Sequence, residues 1–245
     1  HPPELLLADP QPVLMELAQW GAGLGEELPW LDPPPAAAMQ EAQCGLQQLG
    51  LLDQDGRISG TGRLISGLGV HPRLGMLLLE AHQRGEPQLG CDLAAILSER
   101  DPFDNRQIGS DLEARLNGIR RHPSLRTLSQ QLRRQLKRLG PCTESQHATV
   151  NAADLILAAF PEWLAQQRPD QTGRYQLRQG RGATLLPWDP LQGSPALAVA
   201  RVDMGGRDTR IQMAVPLSQS TLLSIAERDG NWQDEASWDP DRQRV

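Results

Sequence analysis

The stretch from residue 28 to residue 75 constrains the fold of this 245-residue chain more than any other. Prolines open a helix there, and Gly50 follows it, as a left-handed residue commonly follows a helix. The turn at 53–56, Asp-Gln-Asp-Gly, predicts a short hairpin. A second helix should follow with Thr61 as its cap, and the His-Pro step at His71 should open a third. Helix, hairpin and helix in this order predict a winged helix.

The first helix of this stretch, at about 35–49, argues against a DNA-reading role. We expect Asp32 to cap it. A winged helix that reads DNA places basic or amide side chains in the major groove. No lysine or arginine occurs between residues 28 and 50, and Glu41 would face phosphate. A duplex-DNA regulator is therefore disfavoured, and we interpret this unit as a hinge or packing block.

Apolar residues at helical spacing predict further helices on both sides of this unit. One should begin at Asp9 and Pro10 and end at the glycines of 21–25. The helix after His71 should bury one apolar face. Its members are Leu74, Leu77, Leu78 and Ala81. The remaining helices are expected at about 89–98, 108–121, 124–138 and 148–160.

The helix at 124–138 carries the clearest indication of nucleic-acid binding. Leucines at 125, 128, 132, 136 and 139 form its apolar stripe. Arg126, Arg133 and Lys137 fall together on the flank of that stripe, and Arg120 and Arg121 precede it. This flank could follow a phosphate backbone, with a salt slope near −3 for about four contacts to a single strand. A merely solvated helix face explains the same pattern equally well.

Short strands replace helices after about residue 165. Tyr175 and Leu177 alternate with Arg174 and Arg178, which predicts one apolar and one basic face, and Arg181 follows in the next turn. Further strands are expected at 183–186, 196–202 and 210–215. Four or five such strands suit a small β-barrel. Tyr175 could stack on a base or pack in the barrel core, and the core is the better interpretation.

Other patterns that could indicate catalysis have simpler explanations. The glycines at 21–25 follow a helix rather than a strand, so they do not predict a nucleotide loop. His71 stands alone and suits a turn. Glu99 and Asp101 lie at a helix end beside proline, where an ion pair or local backbone hydrogen bonds are expected. The only lysine, Lys137, precedes arginine, so no phosphate-binding GxxxxGK[ST] motif exists. We predict no catalytic residue and no metal site.

Charge and cysteine usage limit the class of protein. The net charge of −6 argues against indiscriminate nucleic-acid binding. Residues 91–140 nevertheless hold ten basic and six acidic side chains, between acidic flanks. Three isolated cysteines indicate a reducing compartment, and no apolar run approaches a membrane helix. We therefore expect a cytoplasmic protein without membrane contact. The chain opens without methionine, and we expect it to be a piece of a longer protein.

Six segments in fixed order carry a resemblance to a known family. LPWLDPPP, LGLLDQDGRISGTGR and VHPRLGMLLLEA resemble the region after the second RecA-like domain of DEAH-box ATP-dependent RNA helicases. LAAILSERDPF, GRYQLRQGRGATL and RIQMAVPL narrow the resemblance to the bacterial HrpB type. It covers nearly the whole chain and is weak at 104–150 and after 220.

The resemblance implies a mainly α fold with a smaller β part. It implies a helix and winged helix at 1–70, a ratchet-like helical bundle at 71–145, an OB-like barrel at 146–217, and the start of a truncated segment at 218–245. The implied function is that of a helicase accessory region, which binds single-stranded RNA, or DNA, and closes the strand channel. Its partners would be the RecA-like domains of the same parent chain. ATP and Mg²⁺ would belong to those domains, and no cofactor to this chain.

The residues expected to line the strand path combine the two basic groups. They are Arg120, Arg121, Arg126, Arg133, Lys137, Arg174, Arg178 and Arg181. A rival interpretation stays open, in which the chain is a non-catalytic winged-helix scaffold that docks a protein partner through its acidic face.

Overall fold

The computed structural model describes residues 9–140, 150–169, 171–204, 209–218, 221–223, 225 and 227. Within them, helices occupy the first two thirds and a small sheet follows. The α-helices are α1 Gln11–Trp20, α2 Ala36–Gln48, α3 Gly60–Ser66, α4 Pro72–Gln83, α5 Pro87–Ser98, α6 Asn105–Ile108, α7 Leu112–Gly118, α8 Pro123–Leu136 and α9 Ala152–Ala159. The predicted combination of a helical part and a small barrel is confirmed.

Two predicted helix caps are wrong. Pro35, not Asp32, stands at the N-cap of α2, and no side chain caps that helix. Ser59, not Thr61, caps α3, because its hydroxyl accepts the backbone N–H of Gly62 at 2.9 Å. Ser59 has extended backbone just before the first turn of α3, so its hydroxyl can reach a free N–H group there. Asp32 lies three residues before the N-cap position of α2, which a proline without a hydrogen-bonding side chain occupies.

The hairpin between α2 and α3 is present in a minimal form. A single antiparallel bridge joins Leu52 and Ile58. The Asp53 carboxylate accepts the backbone N–H groups of Asp55 and Arg57, at 2.9 and 2.8 Å, and so closes the turn. Gly50 has φ of +69°, the left-handed value expected after a helix.

The expected helix at 108–121 is interrupted. A short helix, α6, ends at Ile108, and α7 begins only at Leu112 after Asp111, whose carboxylate accepts the Ala114 N–H at 3.0 Å. Gly109 has φ of +55°, which a continuous helix does not allow. Residues 119–121 then form a single 3-10 turn before α8.

Helices α4, α5 and α8 build one core. The four residues predicted for the buried face of α4 are all buried, and so are Leu125, Leu132 and Leu136 of α8. The leucine stripe of α8 therefore packs inward as predicted, mainly on α5. Helix α9 packs on α4 from the other side and starts with a capping box formed by Asn151 and Asp154. The predicted start of this helix at 148 lies outside the described residues.

Five strands close into a barrel in the order β1, β2, β3, β5, β4 and back to β1. The strands are β1 Leu164–Gln167, β2 Arg174–Leu177, β3 Gly182–Thr184, β4 Ala196–Asp203 and β5 Thr209–Leu217. Only β3 and β5 run parallel; the other neighbours are antiparallel. The sequence also predicts a turn at Gly205 and Gly206, between β4 and β5, and these two glycines lie outside the described residues.

The barrel interior settles the role of Tyr175. Its side chain is fully buried, and its hydroxyl lies 3.1 Å from the Leu191 carbonyl and 3.0 Å from that of Ser194. Burial raises the pKa of this phenol to about 12, with a further contribution from the charge of Asp189. Tyr175 is therefore a core residue, as preferred from the sequence, and not a stacking platform.

Helices and barrel share a continuous hydrophobic core. Met213 and Val215 of β5 belong to the same buried cluster as the helical residues Leu77 and Ile156. A separate cluster holds α1, α2 and the hairpin, and a third fills the barrel. The predicted boundaries at 70, 145 and 217 stay predictions.

Candidate nucleic-acid interface

Helix α8 presents its cationic side chains away from the core. Arg126 and Lys137 are exposed, and Arg133 is half-buried. Arg133 lies near the buried Cys91 thiol, whose pKa is raised to about 12 mainly by burial. The positive charge of Arg133 opposes this rise, and the negative charge of Asp92 adds to it. Two of the three predicted residues therefore lie on α8, and Lys137 lies in the 3-10 turn that follows it at 137–139.

The cationic surface is wider than the predicted set. Arg120 and Arg121 are exposed on the 3-10 turn before α8. Arg134 and Arg138, which we did not predict, are exposed as well. Arg134 and Arg138 could have been predicted from the segment LRRQLKRL, because its four cations occupy neighbouring positions around one helix end.

The segment around α8 is positively charged because it contains no acidic residue. Between Glu113 and Glu144 it holds eight arginine and lysine side chains and no carboxylate. A segment that is rich in cations and contains no carboxylate of its own favours a positive field, which steers and holds a phosphate backbone. Six of the eight are exposed and stay hydrated, so they avoid the desolvation cost of a buried charge; Arg133 is half-buried and Arg115 is buried.

Arginines on the barrel form a second cationic group. Arg174 alternates with buried Tyr175 and Leu177 along β2, so it projects outward. Arg178 and Arg181 are exposed between β2 and β3. The Arg181 guanidinium contacts the sulfur of Met204. The predicted alternation of exposed and buried residues is present on β2, but Arg174 is the one predicted arginine on the strand itself.

The two cationic groups are carried by separate elements. The apolar side of α8 belongs to the core shared with the helices, whereas β2 and β3 fill the barrel core. Arg126 and Arg133 belong to α8 and Lys137 to the 3-10 turn that follows it, whereas Arg174 belongs to β2 and Arg178 and Arg181 lie between β2 and β3. A single strand path across both groups stays a prediction.

Other charged residues serve the fold, and Asp101 of the acidic pair near residue 100 is one of them. Asp101 accepts two hydrogen bonds from the fully buried Arg115, at 2.9 and 2.8 Å. Arg201 of β4 lies nearby and donates to the Leu97 carbonyl at 2.6 Å. Desolvation lowers the pKa of Arg201, opposed by the charge of Asp101 and assisted by that of Arg115. The expected ion pair at Asp101 is confirmed.

Arg73, in the segment VHPRLG, is a second structural arginine that we did not predict. Its guanidinium lies 2.7 Å from a Glu162 oxygen and donates to the Ala159 carbonyl at 2.9 Å. It also lies over the stacked rings of Phe160 and Trp163. Arg73 therefore ties α4 to the entrance of the barrel.

His71 has the turn role expected of it. Its Nδ1 accepts the Arg73 N–H at 3.3 Å, and its Nε2 lies 3.1 Å from the Asp9 carboxylate. Burial alone would raise the pKa of Asp9, but the hydrogen bonds from His71 and Gln11 bring it below its usual value, helped by the charges of His71 and Arg73. Among the described residues, no group of three histidine, cysteine or acidic side chains could hold a metal ion.

Comparisons with known proteins agree with this architecture. The chain is 32% identical over 239 residues to the ATP-dependent RNA helicase HrpB of Escherichia coli K12, covering 97% of this chain and 28% of HrpB. A solved structure of the E. coli DExH-box NTPase HrpB matches with a TM-score of 0.79 and 31% identity, covering 99% of this chain and 29% of that one. A second, of the E. coli DEAH/RHA helicase HrpB, gives 0.74 and 31%, covering 89% and 27%.

The chain thus spans less than a third of the length of the proteins that it matches. The resemblance found in the six sequence segments is confirmed, and it is to a C-terminal region of HrpB. No protein-family model matches the chain. None of the helices in the described part of the chain combines the length and apolar character needed to cross a bilayer.

Proposed function

We propose that this chain is the C-terminal accessory region of an HrpB-like ATP-dependent RNA helicase, acting in the cytoplasm. In this role it binds single-stranded RNA and closes the strand channel. The RecA-like domains of the parent protein would be its partners in the same chain. The observation that carries the proposal is the carboxylate-free cationic flank of α8, in a chain similar to HrpB over nearly its whole length.

The architecture supports a division of labour within this region. Residues 9–70 supply a helix, hairpin and helix unit that suits a winged helix, and 71–140 supply a bundle that suits the ratchet of such helicases. A closed five-stranded barrel, with β1 between β2 and β4, is the arrangement expected of an OB-like domain. OB-like barrels commonly bind single strands, which makes Arg174, Arg178 and Arg181 candidates for phosphate contacts.

ATP chemistry is assigned to the absent RecA-like domains. The sequence contains neither a GxxxxGK[ST] loop nor a DEAH segment, so it offers nothing to cradle phosphates or hold Mg²⁺. This chain would bind the RNA strand while ATP hydrolysis in the RecA-like domains drives movement. We therefore expect no ATPase activity from the chain by itself.

The test is a salt series of single-stranded RNA binding by the 245-residue chain. We measure fluorescence anisotropy with a labelled 20-nucleotide strand for the parent chain and for the triple variant Arg126→Glu, Arg133→Glu and Lys137→Glu. Affinity should fall at least tenfold, and the slope of log K against log salt should become shallower by about 2, since each lost phosphate contact removes about 0.7.

The matched control is Arg57→Glu, which reverses an exposed arginine on the acidic hairpin. It should leave both affinity and slope unchanged within error. If the triple variant bound RNA as tightly as the parent chain, the α8 flank would be a solvated surface and the proposal would fail. Sequence-specific binding of duplex DNA would favour the regulator class instead.

A further inference from the structure

An apolar groove lies on the side of the chain formed by α1 and the loop that follows it. Its volume is about 410 Å³, and six of the seven residues that line it are apolar. These six are Val13, Leu17, Trp20, Leu28, Pro29 and Trp30. Single exposed apolar residues are common on protein surfaces, but a lined groove with large exposed neighbours marks an interaction site.

Two large apolar side chains beside the groove are left in solvent. Trp20, which lines it, is 73% exposed, and Leu31, which follows its wall, is 96% exposed. A partner that covered Trp20 would remove a large apolar area from water, which favours association. Tryptophan is also the residue type most enriched among binding hot spots.

The wall of the groove at residues 28–30 is held in place by contacts within the chain itself. The Trp30 indole N–H donates to the Gly25 carbonyl at 2.7 Å, which holds the ring in place. Gly25 has φ of +76°, and a Cβ there would lie 3.0 Å from a Leu17 methyl group and 3.1 Å from the Trp30 ring. The loop is therefore packed closely around a glycine, and a preformed site loses little entropy on binding.

The surroundings of the groove are acidic. Glu16 lines it, and the exposed Glu26 and Glu27 directly precede its wall at Leu28. The first 56 residues hold nine carboxylates and no lysine or arginine. Such a field repels phosphate, so neither RNA nor an anionic membrane suits this face, whereas lysine and arginine side chains are attracted to it.

We propose that this groove docks a short segment of another protein, in which a large apolar anchor is flanked by lysine or arginine. The anchor enters between α1 and the 28–30 wall, beside Trp20. The flanking cations face Glu16, Glu26 and Glu27. This site does not depend on the RNA-binding role of α8, which lies on the basic part of the chain.

The probe is a random 12-residue peptide display library panned against the 245-residue chain, with enriched peptides then measured by fluorescence anisotropy. Enriched peptides should combine an aromatic or large aliphatic residue with two or more lysines or arginines. Trp20→Ala should weaken their binding at least tenfold. The triple variant Glu16→Lys, Glu26→Lys and Glu27→Lys should weaken it by a similar factor, and added salt should do the same.

Two matched controls distinguish binding in the groove from nonspecific binding of peptide to the chain. Trp188→Ala removes another half-exposed tryptophan, on the barrel side of the chain, and Glu99→Lys reverses an exposed carboxylate outside the acidic face. Both should leave peptide affinity within twofold. Circular dichroism should show the same folded signal for all variants, because every substituted side chain is exposed.

The proposal is overturned if no peptide is enriched over a bare-surface control, if enriched peptides are acidic, or if Trp20→Ala binds as well as the parent chain. A several-fold gain in affinity on deletion of residues 1–8 would also overturn it, since the groove would then belong to the chain's own leucines at 5–7. RNA affinity should stay unchanged in Trp20→Ala, which alters no charge, so failure here is distinguishable from failure of the helicase role.

Discussion

Arg115 illustrates how a residue that looks like an RNA contact in the sequence becomes a structural one. It sits in the basic middle of the chain, yet its side chain is fully buried. It donates to the Asp101 carboxylate and to the backbone carbonyls of Asp111 and Gly109. A buried guanidinium is tolerated only when its N–H groups donate hydrogen bonds to acceptors in this way.

The first prediction follows from that pairing. Asp101→Ala leaves the buried Arg115 charge without its carboxylate and should lower the free energy of unfolding by about 3–5 kcal/mol, the usual cost of breaking a buried pair. Urea unfolding followed by circular dichroism measures it. The control Asp55→Ala breaks the exposed pair with Arg57 and should cost under about 0.5 kcal/mol. A loss below 1 kcal/mol for Asp101→Ala would contradict the structural role.

Tyr175 carries the second prediction at this scale. Tyr175→Phe removes a hydroxyl that is hydrogen-bonded to backbone carbonyls inside the barrel, so it should cost about 1–2 kcal/mol of stability. The same variant should bind single-stranded RNA with unchanged affinity, since the ring is buried. Urea unfolding and RNA anisotropy on one sample measure both quantities. Weaker RNA binding at unchanged stability would mean that the ring reaches the strand after all.

Close helix contacts at the element scale depend on glycine. Gly90 of α5 faces α4 so tightly that a Cβ would lie 2.4 Å from the Cβ of Ala81. Gly75 of α4 meets Ile65 in the same manner, at 2.3 Å from a methyl carbon. Both glycines reduce helix propensity, and the structure uses them to let neighbouring elements approach.

Gly90→Ala should therefore destabilise the chain although alanine favours helices. Overpacking at this contact is expected to cost about 1–3 kcal/mol, more than the roughly 1 kcal/mol gained in propensity. Gly60→Ala is the matched control, because nothing lies within 4 Å of a Cβ at the start of α3. That variant should be neutral or slightly stabilising. Urea midpoints for the two variants give the comparison, and equal midpoints would refute the close-contact argument.

At the scale of the whole molecule, the helices and the barrel share one core. Helix α9 lies between α4 and strands β4 and β5, and its Ile156 is fully buried in the shared cluster. The 109–111 segment adds a second connection: the Ser110 amide and hydroxyl donate to Asp189 at 2.8 and 3.0 Å. These contacts make the bundle and barrel dependent on each other.

Because they share this core, the helical bundle and the barrel should unfold together. Ile156→Ala should cost about 2–5 kcal/mol and should speed amide hydrogen exchange in both α4 and β4. Leu46→Ala, in the separate cluster of α1 and α2, should speed exchange mainly in that cluster. Hydrogen exchange with mass spectrometry distinguishes the two patterns. Loss of protection in α4 alone after Ile156→Ala would show that the barrel opens independently.

The sequence by itself determined the type and order of most elements. Leucine periodicity predicted α4 and α8 with their buried faces, and alternation around Tyr175 predicted which β2 residues turn outward. These features are local, since period and turn chemistry operate within a few neighbouring residues. The exposed cations of α8 could be predicted for the same reason, because the opposite face of that helix is a continuous apolar stripe.

Tertiary structure alone decided what depends on distant neighbours. Nothing near Arg115 or Arg73 in the chain distinguishes them from the surface arginines; Asp101 and Glu162 do so from 14 and 89 positions away. The cap of α3, the break at Gly109 and the groove beside Trp20 likewise depend on where the chain enters and packs. Whether a side chain is buried or paired with an opposite charge depends on the residues around it in space. Those residues are distant in the sequence and come together only when the chain folds.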